Sequence, residues 1–170
     1  MERVIPLSRR KGDIVVLVYF WINILFITYI VDVEQIVLPD ISGDWEYPLW
    51  PPAFCVDIIH WYGKNFDPVL IARPAWWRMT IWIDSLFFGP FYVFAIYAWT
   101  KGKNWIRIPS IIWASVMMTN VAIILGEEFM GPHATPAPLL VLALNAPWFL
   151  VPMYVIKRMY STETPFTETV

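Results

Sequence analysis

The chain has 170 residues, 58% of them hydrophobic and 15% charged, with a formal net charge of −2 and a mean hydropathy of +0.54. A soluble domain of this size would lack the polar surface to cover so large an apolar core, so the composition excludes that class and indicates an integral membrane protein of one compact domain. The near-neutral charge gives no basis for nucleic-acid binding, and the single cysteine, Cys55, excludes an intrachain disulfide and offers no thiolate metal site.

The N-terminal stretch 1–13, MERVIPLSRRKGD, is basic and reads as a cytoplasmic segment. The apolar run after it, Ile14–Val31, carries no charge and is too long for the apolar part of a typical signal peptide. No small-residue cleavage site follows, so it reads as a retained first span. The segment 32–78 is rich in proline, aspartate and aromatics, with a short apolar piece, Phe54–Tyr62, suited to an interfacial or re-entrant helix. Three further apolar runs follow: Met79–Thr100 with one charge, Asp84; Ile108–Gly126 with none; and Ala134–Ile156 with none. Each approaches the roughly 20 residues that a helix needs to cross about 30 Å of hydrocarbon. The expected fold is an all-α integral membrane protein, a four-transmembrane-helix bundle over 14–158. The polar tail 159–170, with STETPFTETV, is expected to be disordered in the cytoplasm.

Lys and Arg set the orientation. Arg3, Arg9, Arg10 and Lys11 precede span one, Lys101, Lys103 and Arg107 separate spans two and three, and Lys157 and Arg158 follow span four. Four spans place all of these on one side and only Lys64, Arg73 and Arg78 on the other. By the positive-inside rule both termini are then cytoplasmic.

The polar residues inside the spans now fall at one depth. Asp32 ends span one on the non-cytoplasmic side, and Asp84 lies about one and a half turns into span two from that side. Glu127 and Glu128 close span three there, and Asn120 lies seven residues before Glu127, on its face of the helix. Asn145 is about two turns into span four. Asp32, Asp84, Asn120, Glu127 and Asn145 therefore form a candidate layer around a ligand cavity in the non-cytoplasmic half, with Asn145 expected to face the carboxylates. Acids at helix ends also sit idle among headgroups, and buried amides also serve as glue between helices. The shared depth favours a site, because a carboxylate within a span usually faces the bundle interior.

Such a layer suits proton transfer to an apolar substrate. Burial and a neighbouring carboxylate both help a carboxyl keep its proton. Asp84, Asp32 and Glu127 are the candidate acids and bases. The indole of Trp148 is the candidate for stabilising a carbocation, and Asn145 for orienting a carboxyl or a substrate oxygen. Asn120, Phe88 and Tyr92 are further candidate substrate contacts. No metal or nucleotide motif is present, and the chemistry requires no cofactor. The same cup would equally bind a protonated amine without turnover.

The motifs WYGKNFDPVL (61–70), PAWW (74–77), Asp84 with GPF (89–91), KGKNWIRIPSIIW (101–113), ILGEEF (124–129) and LNAPWFLVP (144–152) together resemble the EXPERA family. The family takes in sigma-2-receptor-like proteins, emopamil-binding sterol isomerases and terpenoid-modifying enzymes. The loop 61–77 resembles the receptor-like branch, which implies that acids at Asp32 and Asp84 lie in a ligand pocket. Asn145 and Trp148 followed by Pro152 resemble the isomerase branch, and Glu127 matches a glutamate implicated there in proton transfer. Asn120 stands where that branch has an acid. The resemblance implies a sterol or terpenoid ligand, residence in the endoplasmic reticulum membrane, and room for a homodimer. It leaves two functions open: a cofactor-independent isomerase or cyclase, and a non-catalytic sterol-binding or trafficking protein.

Overall fold

The computed structural model describes residues 2–169. Among these residues, four helices are long and apolar enough to cross a membrane: span one, Lys11–Val37; span two, Ala75–Lys101; span three, Asn104–Met130; and span four, Pro138–Tyr160. The protein is an all-α membrane bundle, the arrangement that lets a chain satisfy most of its backbone polar groups inside hydrocarbon. Span four starts later than its apolar run: Ala134 to Pro136 stay in the loop, and Pro138 takes the first helical turn, where its missing N–H costs nothing. Span two ends at Gly102, whose φ of 62° closes the last turn in the left-handed region that glycine adopts freely.

Spans one and two each carry a stretch of wider winding. The first winds with wider i→i+5 turns from Asn23 to Asp32, and the second does so from Asp84 to Phe88. Wide turns inside helices concentrate at functional sites. Here one stretch ends on an aspartate and the other begins on one.

The bundle divides along its length. The end that holds both termini is solid: Phe20, Tyr92, Trp99 and Trp113 are fully buried there. The ring of Phe20 meets Trp113 edge-on at 5.3 Å and Trp99 at 5.8 Å, a favourable arrangement for aromatic quadrupoles. The opposite end is hollow.

The tail corrects an expectation of disorder. Strand β1, Glu2–Val4, pairs antiparallel with β2, Thr167–Thr169, with Arg3 opposite Glu168. Phe166 is fully buried against Trp99, and the guanidinium groups of Arg10 and Arg158 lie 5.0 and 5.6 Å from its ring. Asp13 pairs with both arginines, at 2.7 and 3.2 Å. A polar segment folds here because one aromatic side chain, flanked by cations, repays the ordering of its neighbours. Residues 1 and 170, also part of the expected termini, lie outside the described residues.

Between spans one and two the short apolar piece becomes a longer helix, Ala53–Phe66. It is pinned by a buried ion cluster: Arg73 donates to both carboxyl oxygens of Glu34, at 2.8 and 2.9 Å, and His60 Nε2 lies 2.8 Å from Glu34. Arg73 also donates to the backbone carbonyls of Leu38 and Leu70. Desolvated charges persist only when paired and hydrogen-bonded in this way.

Candidate functional site

In the hollow half lies a cavity of about 500 Å³, lined by all four spans and by the loop helix. Its walls are mostly aliphatic and aromatic, including Phe26, Ile81, Phe88 and Val121. The volume falls in the range of small-molecule sites.

Asp32 and Asp84 both line the cavity, with their carboxyls close enough for a hydrogen bond between them when one keeps its proton. A bond between two carboxyl oxygens needs one proton held between them, because an ionised carboxylate only accepts. Thr28 donates its hydroxyl to Asp84 Oδ1 at 2.6 Å, which leaves one side of the pair for the cavity. Thr28 sits four residues before Asp32, one helical turn away, a spacing visible in the sequence.

A second carboxyl pair stands at the loop end. Asp67 lines the cavity with the carboxyl of Glu128, a nearly fully buried residue, beside it. Asp67 also caps the short helix Pro68–Ala72 by accepting from the backbone N–H of Leu70. Burial pushes the Asp67 carboxyl above its ordinary value, against the pull of the neighbouring Glu128 carboxyl and of the bond from the Leu70 N–H. Burial likewise pushes the Tyr62 phenol on the cavity wall up to about 12.

The expected layer is therefore rearranged. Asp32, Asp84, Asn120 and Asn145 all reach the cavity. Glu127 does not: its carboxyl accepts from the backbone N–H of His133 at 3.1 Å and lies 2.6 Å from His133 Nδ1, fastening the loop after span three. Its neighbour Glu128 turns inward instead. Adjacent residues on a helix differ by about 100° in direction, so a small error in phase exchanges them. Asn145 lines the cavity without bonding the acids, because its amide donates to the Val141 carbonyl of its own helix at 2.9 Å. Trp148 presents its ring to the cavity while its N–H donates to Asn23 Oδ1 at 2.7 Å. Phe88 lines the floor. Tyr92, one turn further, belongs to the solid aromatic core and not to the wall: its ring packs against Phe20 and Trp113.

Fold and site define a class: a four-span membrane protein with an apolar cavity that holds paired carboxyls. The model of the EXPERA (EXPanded EBP superfamily) family matches residues 54–159, and the chain belongs to that family. Among curated proteins it is similar to Sigma intracellular receptor 2 of Homo sapiens, 32% identical over 168 residues that cover 91% of this chain and 90% of that protein. The Macaca fascicularis protein of the same name is 31% identical over 169 residues, with the same two shares, 91% and 90%. That of Xenopus tropicalis is 26% identical over 152 residues, 83% of this chain and 84% of its own.

Proposed function

We propose that the protein takes a sterol or terpenoid into the cavity and moves protons on it, as an isomerase or cyclase that needs no cofactor. The observation that carries this reading is the Asp32–Asp84 pair, two carboxyls side by side in an apolar wall, which can hold one proton between them. A carboxyl that keeps its proton in such a wall can deliver it to an alkene or epoxide held against it, with water kept from the cation that forms. Protonation of one carbon leaves a cation at its neighbour. The indole face of Trp148 stabilises that charge without bonding to it. Loss of a different proton to a carboxylate gives a shifted double bond; attack by a second alkene closes a ring and moves the cation, which then loses a proton to a carboxylate. In both outcomes the product keeps the mass of the substrate. Asp67 with Glu128 supplies a second proton-handling group at the far end of the same cavity.

A second reading has its own support. Relatives that match this chain over nine-tenths of both lengths carry the name of a receptor, and an amine cation would pair with the same acids. On this reading the protein binds or carries a sterol and turns nothing over. For either reading we place the termini in the cytoplasm, from the distribution of Lys and Arg, and the cavity in the opposite leaflet of the endoplasmic reticulum membrane.

Mass spectrometry of lipids from cells with and without the protein, fed sterol and prenylated precursors, separates the two. A product of unchanged mass and altered retention, lost in Asp84→Asn, establishes proton transfer. No new compound, with a sterol co-purifying with the wild type and lost in Asp32→Asn and Asp84→Asn, rejects it in favour of binding.

A further inference from the structure

The loop helix Ala53–Phe66 carries two faces with different partners. Cys55, Val56, Ile59, His60 and Gly63 point into the protein and are buried. Phe54, Ile58 and Trp61 are 64%, 58% and 58% exposed. They recur at i, i+4 and i+7, which on a helix of 100° per residue keeps them within about 60° of one another. Asp57 and Lys64 flank this stripe on one side, about 60° to 80° round the helix, and both are exposed. Tyr62, on the other side, turns to the cavity. The preceding loop adds Leu49, 103% exposed, and Trp50, 50% exposed.

A soluble surface does not leave five large apolar side chains in one strip without a partner. The strip is also continuous with the surface that faces lipid. The indole N–H of Trp50 donates to the backbone carbonyl of Tyr29 at 2.6 Å, so the loop lies against span one. There it adjoins Leu25, Phe26 and Tyr29, which are exposed on a helix that crosses the membrane. Two of the exposed side chains are Trp, the residue that anchors at the boundary between headgroups and hydrocarbon. Lys64 is placed to reach phosphates while its stem covers the apolar edge. A strongly apolar stripe with a charged flank is the pattern of a helix lying in the interface plane.

We infer that the loop helix lies in the membrane leaflet opposite the termini, with Phe54, Ile58 and Trp61 among the upper acyl chains and Asp57 and Lys64 at the headgroups. Ile58 and Phe26 line the cavity and are both exposed on the protein surface. Lipid, and not protein, thus completes the cavity wall between span one and the loop helix. This holds whichever ligand the cavity takes.

Single cysteines carrying a nitroxide label test it in the full chain reconstituted in phosphatidylcholine nanodiscs. The background is Cys55→Ala, and the substitutions are Phe54→Cys, Ile58→Cys, Trp61→Cys, Asp57→Cys and Lys64→Cys. Leu25→Cys supplies the lipid reference and Thr162→Cys the aqueous one. The expected result is an oxygen-to-nickel-chelate collision ratio several-fold higher at 54, 58 and 61 than at 57 and 64, approaching the value at 25. Ratios at 54, 58 and 61 equal to that at 162 overturn the proposal. So do labels at those positions that neither reagent reaches, which would mean that another protein surface or a second copy covers the face. A lipid-soluble diazirine applied to the unaltered protein gives an independent reading. Carbene adducts on Phe54, Ile58 or Trp61 support the placement, and a peptide 53–66 without adducts, alongside labelled spans, overturns it.

Discussion

The indole N–H of Trp148 on span four donates to Oδ1 of Asn23 on span one at 2.7 Å, and Asn23 in turn donates to the Tyr19 carbonyl. This chain of bonds fixes the angle at which the Trp148 ring faces the cavity. Trp148→Phe removes the donor and leaves a fully buried amide oxygen unpaired, so it should cost about 1–3 kcal/mol of stability. A double-mutant cycle with Asn23→Ala, read by thermal unfolding in detergent, should show a coupling of at least about 0.5 kcal/mol. Strict additivity would mean that the bond carries nothing.

Asp84→Asn should fold, because an amide can still accept from Thr28, yet lose turnover by about 10² or more, the usual contribution of a general acid. Activity above roughly a tenth of the wild type would remove Asp84 from the reaction. Asp32→Asn should behave in the same way, since it removes the other carboxyl of the proposed proton-sharing pair.

The two adjacent glutamates should separate cleanly. Glu128→Ala takes away the partner of buried Asp67 and should impair both ligand binding and stability, by about 1–3 kcal/mol. Glu128→Gln keeps a hydrogen-bond donor for Asp67 and should restore the stability without restoring an exchangeable acid. Glu127→Gln should loosen the loop at His133 and leave ligand affinity within about threefold, because it lies off the cavity wall. An affinity loss at Glu127 larger than that at Glu128 would contradict the observed helix phase.

Asp67 should impose a pH dependence of known sign. Its folded-state value lies above the usual 3.8 because the carboxyl is buried. Its contribution to stability is therefore complete below the unfolded value and is lost as pH rises through the folded one. Tyr62 and Glu128 face it, and Asp67→Asn keeps the cap on Leu70. Thermal unfolding of the wild type should fall relative to Asp67→Asn as pH rises from about 4 to about 7. A difference that shrinks over that interval would show that the charged form is the favoured one.

Phe166→Ala should release the terminal clamp without touching the cavity. Removing a fully buried ring costs about 3–5 kcal/mol where the structure cannot collapse. Hydrogen exchange should accelerate at Ile5, whose N–H bonds to the Phe166 carbonyl, and at Thr167, while ligand affinity stays unchanged. Unaltered exchange would show that the strand pair holds without the ring.

Four spans and their order were legible in the chain. Hydropathy over about 20 residues is a local property, and solvation in hydrocarbon allows few alternatives to a helix. The loop helix was legible as a short apolar piece for the same reason. The pairings were not. Asp32 with Asp84, and Asp67 with Glu128, depend on the rotation and depth of separate elements relative to each other. The wide turns before Asp32 and after Asp84 alter the rotation that a regular 100° per residue would assign. Glu128 replaced Glu127 on the inner face for that kind of reason, a single step of helix phase. Phe166 was hidden in a polar tail because its burial requires Arg10, Trp99 and Arg158, contributed by three other parts of the chain. Local composition specifies which segments leave water. Which carboxyl meets which, and so where a shared proton can reside, is set by long-range packing that no short stretch of the chain encodes.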